Sequence, residues 1–174
     1  ITTVPNVEYQ VHITEKGEEK QLKVDNPSDM PDPNKVDAVY EPFIKASILT
    51  PSDYIGPVIT LCQDKRGQYV NQIHMQSQRV EIKYELPMAE VVFDFYDRLK
   101  SGTRGYASLD YEFLEYRKGD LVRLDILLNK DPVDALSSIV HRDKAYELGR
   151  SLCKKLKELI DRHQFEVPIQ AAIG

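Results

Sequence analysis

Three cationic side chains gather around a glycine-containing turn in the second half of this chain. Arg98 and Lys100 precede Gly102, and Arg104 is followed directly by Gly105. Backbone N–H groups of such a turn, together with cations, can hold a phosphate. Cations at this position also stabilise the negative C-terminal end of a helix. The spacing therefore predicts either a phosphate contact or a capped helix end followed by a flexible turn.

A second concentration of positive charge lies near the C-terminal end. Residues 144–164 contain six lysines or arginines and three acids, whereas the whole chain has a formal net charge of −5. A solvated helix face and a contact with a polyanion both fit this pattern. The six basic residues are Lys144, Arg150, Lys154, Lys155, Lys157 and Arg162.

Segment 104–111 resembles the RNP1 signature of RNA-recognition motifs, which stack bases on strand aromatics. In that family the signature lies on the third strand of a βαββαβ unit, whereas here it begins the fourth. Alternation also places one aromatic and two carboxylates on the outer face, and carboxylates repel phosphate. That face would carry Tyr106, Ser108, Asp110 and Glu112. Base stacking on this strand is therefore not expected.

No catalytic or metal centre is predicted within the chain. Asp110 and Glu112 could suggest acid–base chemistry, but paired acids on an exposed strand are more often solvated. The four histidines lack metal-ligand spacing, and neither a nucleotide phosphate-binding loop nor a G-x-S-x-G elbow occurs. We expect no cofactor to bind here. The histidines are His12, His74, His141 and His163.

Composition is that of an ordinary globular protein. The 174 residues are 41% hydrophobic and 29% charged, and no run is long enough for a membrane span. Cys62 and Cys153 both fall on apolar helical stripes and are expected to be reduced. The net negative charge argues against non-specific coating of nucleic acid but allows a local basic patch.

The elements that must position these residues follow from hydrophobic periodicity. Between residues 41 and 116 the period reads strand, helix, strand, strand, helix, strand. This order predicts an α+β fold, a ferredoxin-like split βαβ (βαββαβ) sandwich with both helices on one face of the sheet. Thr50 and Pro51 look like a helix start, and Pro57 should then kink that helix. One strand face is expected to carry Tyr69, Asn71, Ile73 and Met75.

Two further segments flank this central unit. An N-terminal β-hairpin with an apolar face is marginal by itself, and nothing in residues 1–40 can cover it, so we interpret it as the remnant of a removed domain. The C-terminal segment reads as ββαβ, with Asp143 capping the helix and a closing strand at Phe165, Val167 and Ile169. The expected divisions are 1–40, 41–118 and 119–174.

Long motifs along the chain resemble the elongation factor 4 (LepA) family, and the central unit is similar to the fifth domain of elongation factor G. The resemblance implies a ribosome-associated translational GTPase that acts on tRNA position, back-translocation and fidelity. It also implies that the chain is a docking fragment without the GTPase domain, so GTP and Mg²⁺ belong to the parent protein. The motifs are 41–46, 61–67, 86–92, 94–101, 104–111, 140–143 and 165–174.

By matching position, the resemblance implies two sets of contacts. Lys65, Arg66, Lys100 and Arg104 become candidates for the stalk-base rRNA and protein of the ribosome. The tRNA-side candidates are His141, Arg142 and Lys154.

Three departures from the family pattern are Pro57, Gly102 and Asp161, of which Gly102 should loosen the basic turn. The resemblance further implies a cytoplasmic protein, with a peripheral place on the inner face of the cell membrane as a second expectation. The alternative function is a stand-alone ferredoxin-like module that binds a regulatory ligand or a partner protein.

Overall fold

A computed structural model describes residues 7–159 and 168–174, which form two compact units. One unit contains Glu8–Tyr40 and Lys118–Gly174, and the other contains Glu41–Arg117. Within the described residues, no helix is both long and apolar enough to cross a membrane.

The mixed α+β class with antiparallel pairing is confirmed. A π-helical turn, Val91–Phe95, joins α2 to α3. In chain order the elements are β1 (Tyr9–Glu15), β2 (Glu18–Val24), β3 (Val36–Pro51), α1 (Ile55–Asp64), β4 (Gln68–Met75), β5 (Arg79–Pro87), α2 (Met88–Glu90), α3 (Tyr96–Gly102), β6 (Ser108–Gly119), β7 (Leu121–Leu128), β8 (Asp131–Pro132), β9 (Ser138–His141), α4 (Arg142–Leu159) and β10 (Ile169–Ile173).

The central unit, Glu41–Arg117, is built on the strand order β4-β5-β3-β6, in which β3 pairs antiparallel with β5 and β5 with β4. The helices supply apolar side chains to the core above this sheet, as their 3.6-residue period requires. Phe95 and Tyr84 are the largest fully buried side chains. The buried core is Ile44, Ala46, Ile48, Val58, Leu61, Cys62, Val80, Ile82, Tyr84, Leu86, Val91, Phe95, Leu99 and Ala107.

Helix α1 begins later than the sequence predicted. Strand β3 runs through Pro51, a 3₁₀ turn covers Ser52–Tyr54, and the α-helix starts at Ile55. Pro57 therefore lies in the first turn, where a backbone N–H has no partner within the helix anyway. The expected kink at Pro57 was wrong for this reason.

The predicted face of β4 was also wrong, because a register shift interrupts the strand between Tyr69 and Asn71. Tyr69 lies opposite Tyr84, whereas Asn71 lies opposite Lys83. Directly opposed residues share a face of the sheet. Tyr69 therefore shares the side of the buried Tyr84, and the other three residues, Asn71, Ile73 and Met75, lie on the opposite side.

The other unit covers the hairpin that the sequence left bare. Val11, Ile13 and Val24 are buried, and the Tyr9 hydroxyl donates a 3.4 Å hydrogen bond to the carbonyl of Ile139 in β9. Residues 8–40 thus lie in one compact unit with 118–174.

The C-terminal segment forms its own antiparallel sheet, with β7 between β10 and both β8 and β9. Helix α4 lies close to this sheet at Gly149, where an added Cβ would be 2.9 Å from the Ala171 Cβ and 3.4 Å from Leu124. The closing strand begins at Ile169, while Phe165 and Val167 lie outside the described residues.

Candidate functional site

Helix α1 ends in a Schellman motif that fixes the backbone of two candidate residues, Lys65 and Arg66. Arg66 N–H donates to the Gln63 carbonyl (3.1 Å), and Gly67 N–H donates to the Cys62 carbonyl (2.8 Å). Arg66 takes the left-handed position (φ 58°) that glycine usually fills. Gly67 is needed for space instead, since a Cβ there would meet the Cys62 carbonyl oxygen at 2.6 Å and Leu86 at 2.7 Å.

This geometry places both cations in a buried ion cluster formed by Glu41, Lys65, Arg66, Glu90 and Asp94. The Lys65 ammonium contacts Asp94 at 2.5 Å and Glu90 at 3.9 Å, and its side chain is only 8% exposed. The Arg66 guanidinium donates two hydrogen bonds to Glu41, at 2.8 and 2.9 Å, and a third to Glu90 at 3.3 Å.

Electrostatics of the cluster keep both cations inside the protein. Burial acts to lower the pKa of Arg66, but the hydrogen bonds and negative charges of Glu41 and Glu90 outweigh it and raise that pKa. Three carboxylates face two cations, so the cluster presents no excess positive charge. Lys65 and Arg66 therefore brace α1 against β3 at Glu41 and against the helical segment that follows β5.

Lys100 and Arg104 lie together at the end of α3, which repeats the Schellman geometry. Gly105 N–H donates to the Lys100 carbonyl (2.7 Å), and Arg104 and Gly105 have φ values of 52° and 81°. The Lys100 ammonium donates to the Ala107 carbonyl and lies 5.6 Å from the centre of the Tyr96 ring. Arg104 is exposed and has no ion pair among the described residues.

The loop between α3 and β6, residues 103–107, is held in place by a buried hydroxyl. Thr103 Oγ1 donates to the Leu99 carbonyl (2.7 Å) and accepts from the Ala107 N–H (3.1 Å). Gly102 is the last residue of α3 and is not the point at which the chain turns. The expected loosening at Gly102 was wrong, because Thr103 ties both ends of the turn together. We call residues 100–107 the basic turn.

An aromatic pair with one exposed ring lies in the same part of the unit. Tyr106 is 62% exposed and stacks on Tyr54, with ring centroids 6.2 Å apart and an interplanar angle of 20°. Strand β6 begins only at Ser108, so the RNP1-like segment is divided between the basic turn and the strand. The structure thus puts its first aromatic in the turn beside Arg104, not on a sheet surface.

The tRNA-side candidates lie just before α4, at its start and in its second half. His141 ends β9, and its Nδ1 accepts the N–H of Asp143 at 3.2 Å. Histidine, and not Asp143 as expected, therefore supplies the N-terminal cap. Arg142 donates to Asp120 at 3.0 Å, and both side chains are more than half exposed.

One exposed face of α4 joins Arg142 to Lys154. Exposed residues recur every three or four positions, which places them on one side of a helix. At 1.5 Å per residue they extend over about 22 Å. Tyr146 in this row is 70% exposed. We call this row the basic stripe: Arg142, Tyr146, Arg150, Lys154 and Lys157.

Sequence reasoning missed Tyr146, Tyr106 and Tyr54 as members of these surfaces. The sequence signal for the stripe was the excess of positive charge in residues 144–164. Residues four positions apart lie on one face of a helix, so the row can be identified once the helix is known. Tyr54 and Tyr106 are 52 positions apart, and no local pattern connects them.

Comparisons with known proteins agree with the family resemblance. The model described as "Elongation factor G C-terminus" matches residues 38–127, and "GTP-binding protein LepA C-terminus" matches residues 128–174. Elongation factor 4 of Geobacillus thermodenitrificans is 55% identical over all 174 residues, and that of Staphylococcus aureus is 57% identical. The chain spans 28% of the length of each of these relatives.

A solved chain from Thermus thermophilus aligns with 47% of this chain and 12% of its own length, at 26% identity and a TM-score of 0.43. Two adjoining family models and full coverage of the chain by the relatives lead to one assignment. The chain belongs to the elongation factor G C-terminus family and matches the C-terminal part of elongation factor 4 (LepA).

Proposed function

We propose that this chain is the ribosome- and tRNA-contacting part of a translational GTPase of the elongation factor 4 type. The observation that carries the proposal is the basic stripe, a row of four cations and one aromatic side chain in a chain whose formal net charge is −5. Such a local concentration of cations binds phosphate while the overall charge limits non-specific binding.

The basic stripe is the proposed tRNA contact. Arg150, Lys154 and Lys157 are exposed, and their spacing lets them meet successive backbone phosphates along one side of an RNA helix. Tyr146 adds an aromatic surface between cations, which suits an unstacked base or a ribose. His141 contributes by capping the helix that carries the stripe, and Arg142 adds a cation held near Asp120.

The basic turn is the proposed stalk-base contact. Arg104 and Tyr106 are exposed on a backbone that Thr103 fixes, so little conformational entropy is lost when RNA binds. Lys65 and Arg66 are not part of this proposed contact, because their charges are already compensated inside the ion cluster.

GTP and Mg²⁺ are proposed to act in the remainder of the protein, in keeping with the relatives' family description as GTP-binding. Within this proposal the whole factor adjusts tRNA position on the ribosome in the cytoplasm, including back-translocation. Family membership favours this function over a stand-alone regulatory module.

Binding of the 174-residue chain to tRNA and to a stalk-base rRNA fragment, measured by fluorescence anisotropy, tests both contacts. Reversing charge with Arg150→Glu and Lys154→Glu should weaken tRNA binding by about tenfold or more, since two phosphate contacts become repulsive. Arg104→Glu should weaken binding to the rRNA fragment and leave tRNA affinity unchanged.

A matched control carries the same charge change on another exposed surface, Lys20→Glu with Lys23→Glu on β2. If this control lost as much tRNA affinity as the stripe variant, net charge, and not the stripe, would govern binding. If Arg104→Glu weakened binding to tRNA and to the rRNA fragment equally, the assignment of the two surfaces to different RNAs would be wrong.

A further inference from the structure

Strand β4 is the outermost strand of the central unit's sheet. Among the residues that the structure describes, β5 alone pairs with it. Every second residue of an edge strand leaves its N–H and C=O directed away from the sheet, where another extended chain can accept and donate hydrogen bonds. The main-chain groups for adding one more strand are therefore present along β4.

The side chains of β4 do not protect this edge. Four large apolar residues in its eight positions are between 43% and 51% exposed, and the strand contains no lysine, proline or acid. Edge strands are usually guarded by such residues, because an exposed apolar edge promotes pairing with other chains. The exposed residues are Tyr69, Val70, Ile73 and Met75.

Strand β2, at an end of the pairing order in the other unit, gives an internal comparison. Its sequence EEKQLKV carries two glutamates and two lysines, and every residue except Val24 is exposed. The same chain thus guards one edge with charge and leaves the other apolar. This difference indicates that the apolar edge of β4 has a use.

Register and charge limit what can pair with β4. The interruption between Tyr69 and Asn71 leaves five regular residues, 71–75, opposite 79–83 of β5. Arg79, opposite Met75, is exposed and has no ion pair among the described residues. The edge therefore accepts a short extended segment. It favours a glutamate in that segment, whose side chain can meet the long Arg79 side chain across the two strand spacings, about 10 Å, that separate the added strand from β5.

We propose that β4 is a docking edge for an extended peptide segment of a partner protein, with alternating apolar residues and a carboxylate within reach of the Arg79 side chain. A short segment fits better than a second copy, because five paired residues bury much less than the roughly 1,200 Å² of a stable interface. In a symmetric edge-to-edge pair of two copies, Arg79 would find no carboxylate on the other strand, because β4 contains no acid. This docking is independent of the RNA contacts of the basic turn and basic stripe.

Synthetic peptides test the proposal on the 174-residue chain. The probe is a fluorescent peptide of about ten residues that alternates valine with threonine and carries two glutamates. A second probe replaces both glutamates with lysine, and a third has N-methylated alternate amides that cannot form a ladder. The measurements are fluorescence anisotropy and the ¹H–¹⁵N shifts of residues 68–79.

The acidic probe should bind at least about fivefold more tightly than the lysine probe, shift the β4 amides and lose binding when N-methylated. Ile73→Lys and Met75→Lys should each weaken binding by about tenfold, since both introduce charge at the edge. Ile173→Lys is the matched control, because Ile173 on β10 is 47% exposed, close to the 46% of Ile73, and its replacement should leave peptide binding unchanged.

Three results would overturn the proposal. These are no saturable binding up to about 1 mM, equal binding of the acidic and lysine probes, and binding indifferent to Ile73→Lys or to N-methylation. Sedimentation of the chain alone adds a separate check. Self-association that Ile73→Lys abolishes would assign the edge to a second copy of this chain and would likewise reject a peptide partner.

Discussion

Glu41 shows how one residue decides the role of its neighbours. It is 2% exposed, and its two oxygens accept hydrogen bonds from Arg66. A buried pair adds little net stability, but removal of one partner leaves an uncompensated charge. Glu41→Gln should therefore lower the free energy of unfolding by about 3 kcal/mol, the lower end for a broken buried pair, because Glu90 still contacts Arg66. Urea denaturation followed by circular dichroism measures this in a chain without tryptophan.

Glu115→Gln is the control for this change. Glu115 also pairs with an arginine, Arg117, but its side chain is 55% exposed. Solvent screens such a pair, so its loss should cost less than about 0.5–1 kcal/mol. Equal losses for the two variants would contradict the assignment of Glu41 to a buried cluster.

Cys62 is expected to be chemically silent while the protein is folded. Burial raises the pKa of its thiol from 9.0 to about 12, so very little thiolate exists at neutral pH. Iodoacetamide at pH 8 should modify Cys62 at least about a hundredfold more slowly in the native chain than in guanidinium. Mass spectrometry of digested protein measures the two rates.

The same shift makes stability depend on pH. The folded-state pKa lies above the unfolded value, so the contribution of Cys62 is complete below pH 9 and is lost as pH rises toward 12. Cys62→Ala should reduce that alkaline loss. The burial of this thiol would be contradicted if Cys62→Ala lost as much stability at alkaline pH as the unchanged chain. Fast modification of Cys62 in the native protein would contradict it as well.

At the scale of elements, two glycines at helix ends have opposite requirements. A Cβ at Gly67 would approach the Cys62 carbonyl and Leu86 within 2.7 Å, whereas a Cβ at Gly102 meets nothing within 4 Å. Gly67→Ala should destabilise the protein by about 1–3 kcal/mol, because backbone and core must shift. Gly102→Ala in α3 should stabilise it by up to about 1 kcal/mol, because alanine favours the helix.

Thermal unfolding of the two variants compares these effects directly. Destabilisation by both substitutions, to the same extent, would show that glycine is required for its backbone freedom at each position. The structure instead assigns the left-handed conformation at these helix ends to Arg66 and Arg104, with Gly105 following in the second case. Packing against Leu86 and Tyr84 of β5 explains why residue 67 is glycine.

For the whole molecule, charge is distributed unevenly and binding should reflect this. The chain is negative overall, while the basic stripe carries four cations. If these four contact phosphates, tRNA affinity should fall by about a hundredfold between 50 and 200 mM salt. Anisotropy titrations at several salt concentrations give the slope of log affinity against log salt concentration. In the variant with both Arg150→Glu and Lys154→Glu, this slope should be smaller by the contribution of about two phosphate contacts. A salt-independent affinity would contradict the stripe as the tRNA contact.

The structure groups Glu8–Tyr40 with Lys118–Gly174 in one compact unit and places Glu41–Arg117 in the other. The domain divisions expected from the sequence stay a prediction. The composition of the units was not accessible, because Tyr9 and Ile139 meet across 130 positions. Local patterns reveal where a hairpin has an apolar face but not which distant segment covers it.

By itself the sequence determined the types and order of the central elements, the α+β class and the family. Period and turn chemistry are local properties, and long motifs persist among relatives. Only the tertiary structure decided which cations are available: Arg66 meets Glu41 across 25 positions, whereas Arg104 stays exposed. It also decided which side of the sheet Ile73 and Met75 share, because a strand's facing depends on its register with a neighbouring strand.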